Sequence, residues 1–154
     1  MKRLLLYFIT VFIATGFHSA AFANNKKVDW RRYDHIDRDR IVPIAALRMA
    51  IEFYDQNYEE IQNKDFMAIA DFSKIDTQRR FYVIDMRNGD VESLYVAHGI
   101  NSESNNQGRA KLFSNIPDSK QSSLGFYLTE PDIYTGKWGQ SLRIRGLEST
   151  NYKA

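Results

Sequence analysis

The chain has 154 residues, 44% of them hydrophobic, with 21 basic and 19 acidic side chains and no cysteine. The length suits one domain with a core of its own. The missing thiol excludes disulfides, cysteine metal sites, a cysteine nucleophile among these residues and lipid attachment through an N-terminal cysteine.

The chain opens with Lys2 and Arg3, an apolar run over residues 4–17, and Ala21-Phe22-Ala23, which fits a small-x-small cleavage site. This is the layout of a secretory signal peptide. A membrane anchor is the rival reading, but the apolar run falls short of the roughly 20 residues a spanning helix needs. Cleavage is expected after Ala23, which removes two basic and no acidic side chains and leaves 19 of each. The mature chain then carries no net charge and gives no reason to expect a nucleic-acid partner. The expected location is the periplasm or the exterior, with no stable membrane span once the signal is gone. The absence of glycosylation sequons favours a bacterial periplasm.

Residues 24–42 are polar, and YDHIDRDR alternates acid with base. Asp34, His35, Asp37 and Asp39 resemble metal ligands in type, but such charge runs are usually solvated, and the segment reads as a self-neutralising leader. From Pro43 a helix is expected, with Ile44, Leu47, Ile51, Tyr54, Tyr58 and Ile61 on one face and Glu52, Asp55, Glu59 and Glu60 off it. That amphipathic helix should pack on a sheet.

Strand signals follow: residues 66–72 (FMAIADF), 79–86 (RRFYVIDM) and 91–98 (VESLYVAH), the last two joined through Arg87-Asn88-Gly89-Asp90. Asn-Gly between two such runs predicts a tight hairpin with positive φ at both residues. Phe81 and Val83 should face one side, and Tyr82, Ile84 and Met86 the other. Residues 99–111 form a polar loop. The runs at 124–130, 132–139 and 140–148 read as further strands, with Leu142 and Ile144 alternating with Arg143 and Arg145.

Three constellations have chemical interest. Ser122 or Ser123, His98 and Asp85 could be assembled on paper into a Ser-His-Asp device. However, Gly139-Gln140-Ser141-Leu142-Arg143 lacks the second glycine of a nucleophile elbow, and three scattered residues of these types occur in almost any chain. His98, at the end of a strand run, reads as a structural hydrogen-bonding group. Tyr134 and Trp138 flank Gly136 and could line a groove for a sugar or peptide. With only His35 and His98 left after cleavage, a histidine metal site is not expected, nor is any other cofactor.

Several motifs in order then carry a resemblance: DFS at 71–73, RRFYVIDMRNGDV, VAHGINS, LFSN, SSLGFY, YTGKWGQSLRIRGLE and NYKA. Together, over roughly residues 43–154, they resemble the murein L,D-transpeptidase catalytic-domain family, a YkuD-like branch that includes enhanced-entry proteins. The resemblance implies a mainly β, β-sandwich-like catalytic fold, incomplete here, with one N-terminal helix and an α+β character overall. It also implies export and action on peptidoglycan stem peptides, in which a cysteine thiolate takes the acyl group with the help of a histidine. Ser122, Ser123 and Gly125 belong to a signature segment that would shape the substrate site, together with Tyr134, Gly136 and Trp138.

In the family, the histidine-glycine and serine-x-glycine-cysteine-proline motifs lie beyond the segment matching GLESTNYKA. No catalytic residue is therefore carried over, and His98 belongs to an earlier motif. The expected protein is an exported, truncated relative, either a decayed product or a piece of a longer enzyme, and inactive by itself. The alternatives are a non-catalytic peptidoglycan- or envelope-binding module, in which Arg143 and Arg145 meet stem-peptide carboxylates, and an unrelated serine hydrolase acting through Ser122 or Ser123.

Overall fold

The computed structural model describes residues 9–13 (backbone), 27–105, 107–137 and 139–153. The expected cleavage site at Ala23 and the turn residue Trp138 lie outside them. Six strands form one mixed sheet in the order β4-β3-β2-β1-β5-β6: β1 (Ile9–Ile13), β2 (Phe66–Asp71), β3 (Phe81–Asp85), β4 (Val91–Leu94), β5 (Gly125–Gly136) and β6 (Gly139–Gly146). The pair β1–β2 is parallel and the others are antiparallel. One helix, α1 (Ile44–Gln56), lies over β1 and β2. Among the described residues the fold is mainly β with one amphipathic α-helix, an α+β arrangement. Among the described residues no helix is long and apolar enough to cross a membrane.

The two faces of the sheet follow from the alternation of the strands. Met67, Ile69, Tyr82, Ile84, Met86 and Phe126 face α1, where Phe53 stacks on Phe126 with ring centroids 4.1 Å apart. Ala70, Phe72 and Phe81 lie on the opposite face with Ala110, Phe113 and Leu124 from the long loops. The expected division of β3 between Tyr82, Ile84 and Met86 on one side and Phe81 on the other is thus observed.

The helix differs from its expected stripe. Ile44 is 67% exposed, while Ala50 and Phe53 are buried. Asn57 caps the helix: its backbone leaves the helical conformation (φ −108°, ψ 16°), and its side-chain amide donates to the Phe53 carbonyl at 2.8 Å beside the last helical bond from its own N–H at 3.0 Å. Tyr58 and Ile61 therefore follow the helix, although Ile61 is still buried. Asp55, expected on the polar face, is buried and accepts hydrogen bonds from Tyr33 Oη (2.7 Å) and Arg32 Nη1 (3.2 Å).

Residues 28–42 are not a solvated leader. Val28, Tyr33, Ile36 and Val42 enter the helix-side core, and the buried Asp37 carboxylate accepts from the backbone N–H groups of Ile41 (2.8 Å) and Val42 (2.9 Å). The alternation of acid and base concealed an apolar residue at every few positions. His35 Nε2 donates to the Met86 carbonyl at 3.0 Å, which ties this segment to the β3–β4 turn.

That turn is longer than a two-residue hairpin. Gly89 has φ +85°, but Asn88 does not share the positive φ, and the Gly89 N–H donates to Asp85 O at 2.8 Å. Local side-chain bonds explain the difference: Asp85 Oδ1 accepts from Arg87 N and Asn88 Oδ1 from Asp90 N, both at 2.9 Å. Gly89 is needed for space as well, since a Cβ there would sit 1.9 Å from His35 O. The run expected at 124–130 and the part of the run expected at 132–139 that lies before Lys137 merge into β5, Gly125–Gly136. Pro131 is accommodated at a register shift between Thr129 and Ile133, where the ladder needs no donor.

Candidate functional site

Two polar clusters meet under the loops that precede β5, and the Ser122–Ser123 step links them. The first is built on Arg80, which is 0% exposed immediately before β3. Its guanidinium donates to Val96 O (2.9 and 3.1 Å), Lys74 O (2.9 Å) and His98 Nδ1 (2.7 Å), and lies over the Phe72 ring at 5.2 Å. Burial lowers the Arg80 pKa, an effect opposed by Asp76, Asp71 and Glu103, and an arginine does not lose its charge in a protein. Because Arg80 can only donate, His98 Nδ1 accepts and the proton sits on Nε2, which faces Glu103 Oε2 at 3.8 Å. Glu103 in turn accepts from Gly108 N at 2.6 Å, closing the 99–111 loop over the cluster.

Ser122 fastens this loop to the next. Its Oγ accepts from Gly99 N at 2.9 Å and its N–H donates to Ser102 Oγ at 2.8 Å. Ser102 is fully buried, and its carbonyl accepts from both Lys111 N (2.7 Å) and Leu112 N (2.9 Å).

The second cluster begins one residue later. Ser123 Oγ and Tyr127 Oη share a hydrogen bond, and both residues are buried. Burial pushes the Tyr127 phenol up; its hydrogen bonds with Ser123 and Asn151 act in the opposite direction. Glu148 Oε2 accepts from Phe126 N (2.9 Å), Asn151 Nδ2 donates to Phe126 O (2.9 Å), and Asn151 Oδ1 accepts from Glu148 N (2.8 Å). Gly125 has φ +125°, and a Cβ there would lie 2.2 Å from Glu148 Oε2 and 2.7 Å from Asn151 Nδ2. The turn at residues 148–153 is thereby stitched to the start of β5.

These contacts sort the expected site residues. Ser122, Ser123 and Gly125 come together in the hydrogen-bonded scaffold before β5, where Ser123 and Gly125 are buried. Tyr134 and Gly136 are at the far end of β5, about 30 Å away at about 3.3 Å per residue, so the two groups do not line one groove. Tyr134 is 43% exposed and carries the Arg143 guanidinium 5.0 Å above its ring. The Ser-His-Asp device is not assembled. Asp85 bonds Arg87 at the opposite end of β3 from Arg80, and His98 has Arg80 and Glu103 as partners. Among the described residues no group of three or more His, Asp or Glu is placed to hold a metal.

The matching family model is described as an L,D-transpeptidase catalytic domain and covers residues 38–154, which contain both clusters and every strand except β1. The chain belongs to the L,D-transpeptidase catalytic-domain family. No curated protein and no solved structure matches it. The match starts within the segment first read as a leader, in agreement with the burial of Val42.

Within this L,D-transpeptidase domain, sequence reasoning missed Arg80, Glu103, Glu148 and Asn151. Arg80 follows another arginine, and no local pattern distinguishes the buried one. Glu148 and Asn151 had a signal in Gly125: a glycine at the start of an apolar strand marks a close approach by another part of the chain.

Proposed function

We propose that this L,D-transpeptidase-family chain is exported and acts in the cell envelope at peptidoglycan stem peptides, and that its 154 residues supply scaffold and binding surface without the nucleophile. The observation that carries this reading is a family match over residues 38–154 in a chain with no cysteine. Acyl transfer by thiolate needs a sulfur with a base beside it. His98, the histidine of the first cluster, has Nδ1 occupied by Arg80. Lys2, Arg3, the apolar run after them and Ala21-Phe22-Ala23 support export with cleavage after Ala23.

Incubation of the purified chain with a stem tetrapeptide, and separately with a carbapenem, is expected to give no covalent adduct by intact-mass spectrometry. An adduct mapped to one residue overturns the reading. A non-catalytic envelope-binding role is favoured by a separate feature, a cavity of about 200 Å³ between the 60–63 segment and β5–β6, where Arg145 lies with Glu60, Asn63 and Glu130. Acids and a guanidinium on one rim suit a zwitterionic peptide end. Retention of the chain on isolated sacculi, reduced by Arg143→Ala with Arg145→Ala, is the expected result.

A further inference from the structure

The apolar stretch that carries the export pattern is also a strand of the sheet. Among the described residues the ladder β4-β3-β2 and the ladder β5-β6 have no pairing with each other, and β1 joins them. It runs parallel to β2 over five registered pairs, from Ile9↔Met67 to Ile13↔Asp71. On its other side it runs antiparallel to β5 over four, from Ile9↔Leu128 to Phe12↔Gly125. With β1 in place the facing segments of β2 and β5 are enclosed: Met67, Ala68, Ile69 and Ala70 are 0% exposed, and Phe126 and Tyr127 are 1% exposed. Backbone N–H and C=O groups facing each other there across an empty gap would lack partners in a poorly hydrated place. Two interstrand spacings, about 9.6 Å in all, are the width of one intervening strand. Helix α1 spans the junction, contacting β1 and β2 while Phe53 reaches across to Phe126 on β5.

We propose that the interval between β2 and β5 is a strand-acceptor slot one strand wide, and that its occupant in the folded chain is Ile9–Ile13. The segment, Ile-Thr-Val-Phe-Ile, is β-branched or aromatic throughout and free of glycine and proline, the composition an interior strand requires. The two uses of the segment are separate in time. Export takes the unfolded chain, and the sheet forms afterwards. A cut after Ala23 made before the sheet forms leaves the slot without this strand, whereas a cut made on the folded chain removes the covalent link and leaves the backbone pairing of Ile9–Ile13 with β2 and β5 in place. The inference rests on strand pairing and is independent of the peptidoglycan reading.

The test uses the full-length chain carrying Val11→Pro, which removes a ladder donor and stiffens the middle of β1. Amide hydrogen exchange over residues 67–71 and 125–128 is expected to speed up roughly tenfold or more, while residues 81–94 keep their protection. A synthetic peptide of residues 2–17 added in trans should restore protection, and the same peptide with proline at position 11 should not. Unchanged exchange in the variant, or protection kept through a dimer in which a second copy closes the slot, would overturn the assignment. If the variant does not fold, a protease cut at residue 23 of the folded wild-type chain decides. Co-elution of peptide 1–23 with the remainder supports the slot, and its release from a remainder with unchanged exchange refutes it.

Discussion

Arg79 and Arg80 are chemically identical neighbours with opposite fates. Arg79 reaches along the sheet edge to Ser93 O and stacks on Tyr95, whereas Arg80 is enclosed and organises Val96, Lys74 and His98. A buried guanidinium with its donors engaged is costly to lose, because the partly buried Val96 and Lys74 carbonyls lose their donor. Arg80→Met should lower unfolding free energy by about 3 kcal/mol, and Arg80→Lys should recover less than half, since an ammonium cannot reproduce the planar fork. Urea denaturation of the three proteins measures this, and Arg79→Met, at an exposed position, should change stability by no more than about 0.5 kcal/mol. Two glycines offer a second comparison. Gly125 and Gly139 both have positive φ (+125° and +113°), but only Gly125 has side-chain atoms where a Cβ would go. Alanine at Gly139 should cost about 1 kcal/mol, the backbone strain alone. Alanine at Gly125 should cost at least about 2 kcal/mol more, because the Glu148–Asn151 bonds must break. Equal losses in thermal unfolding would show that the cluster yields without resistance.

Among the elements, α1 is held to the segment before it by tyrosines whose ionisation is suppressed. Tyr54 is pushed up to about 12 by burial and then by Tyr58, and Tyr33 is pushed up by burial and by its bond to Asp55. A raised phenol favours folding while it is protonated. The contribution is complete below the ordinary value of about 10 and is lost as pH rises through the folded value. Tyr33→Phe should therefore be less stable than wild type by about 1 to 2 kcal/mol at neutral pH, and the gap should close in alkali; a constant gap in alkaline denaturant titrations would contradict this. The β3–β4 turn behaves in the opposite sense. The Arg87 hydrogen bond holds the Asp85 carboxyl below the usual carboxylate range, so its contribution is present above about pH 4 and fades as pH falls. Asp85→Asn should flatten the acid limb of the stability curve, and salt should flatten that of wild type, as Arg87 is largely exposed. Strands β2 and β3 and the position of the turn between β3 and β4 were legible in the sequence because their signals are local, a continuous apolar run, a period of two, and Asn-Gly; the turn's length was not, since it is set by Asp85 and Asn88 side-chain bonds. The start of α1 was legible from Pro43, but its end was not, since it depends on Asn57 bonding Phe53 O in place of continuing an apolar stripe. The site was less legible than the fold. Ser122, Ser123 and Gly125 stood out in the chain, but their partners Gly99, Tyr127, Glu148 and Asn151 are supplied by the fold, and no spacing rule connects them.

At the level of the whole molecule, a six-stranded open sheet has two edges to protect, β4 and β6. The β4 edge is only four residues long, and Arg79 covers the Ser93 carbonyl at 2.5 Å. The β6 edge is longer and carries exposed apolar groups nearby, with Ile133 47%, Tyr134 43% and Ile144 41% exposed. Arg143 and Arg145 alternate with Leu142 and Ile144 along it, and charges on an edge strand oppose pairing with another chain. If the arginines act as such guards, replacing both with valine makes Leu142 to Arg145 a continuous β-prone run with an unpaired edge, and self-association should rise steeply with concentration in light scattering. Replacing both with alanine lowers β-propensity as it removes charge, so that variant should stay closer to monomeric in sedimentation while losing the guanidinium beside Glu60 and Glu130. The pair of variants separates two roles of the same residues. Valine substitution reports on edge protection, and the alanine variant, still soluble, reports on retention by sacculi. If the alanine variant aggregates as readily as the valine variant, charge alone protects the edge. If it remains soluble and binds sacculi as wild type does, the arginines serve the edge and not a peptide.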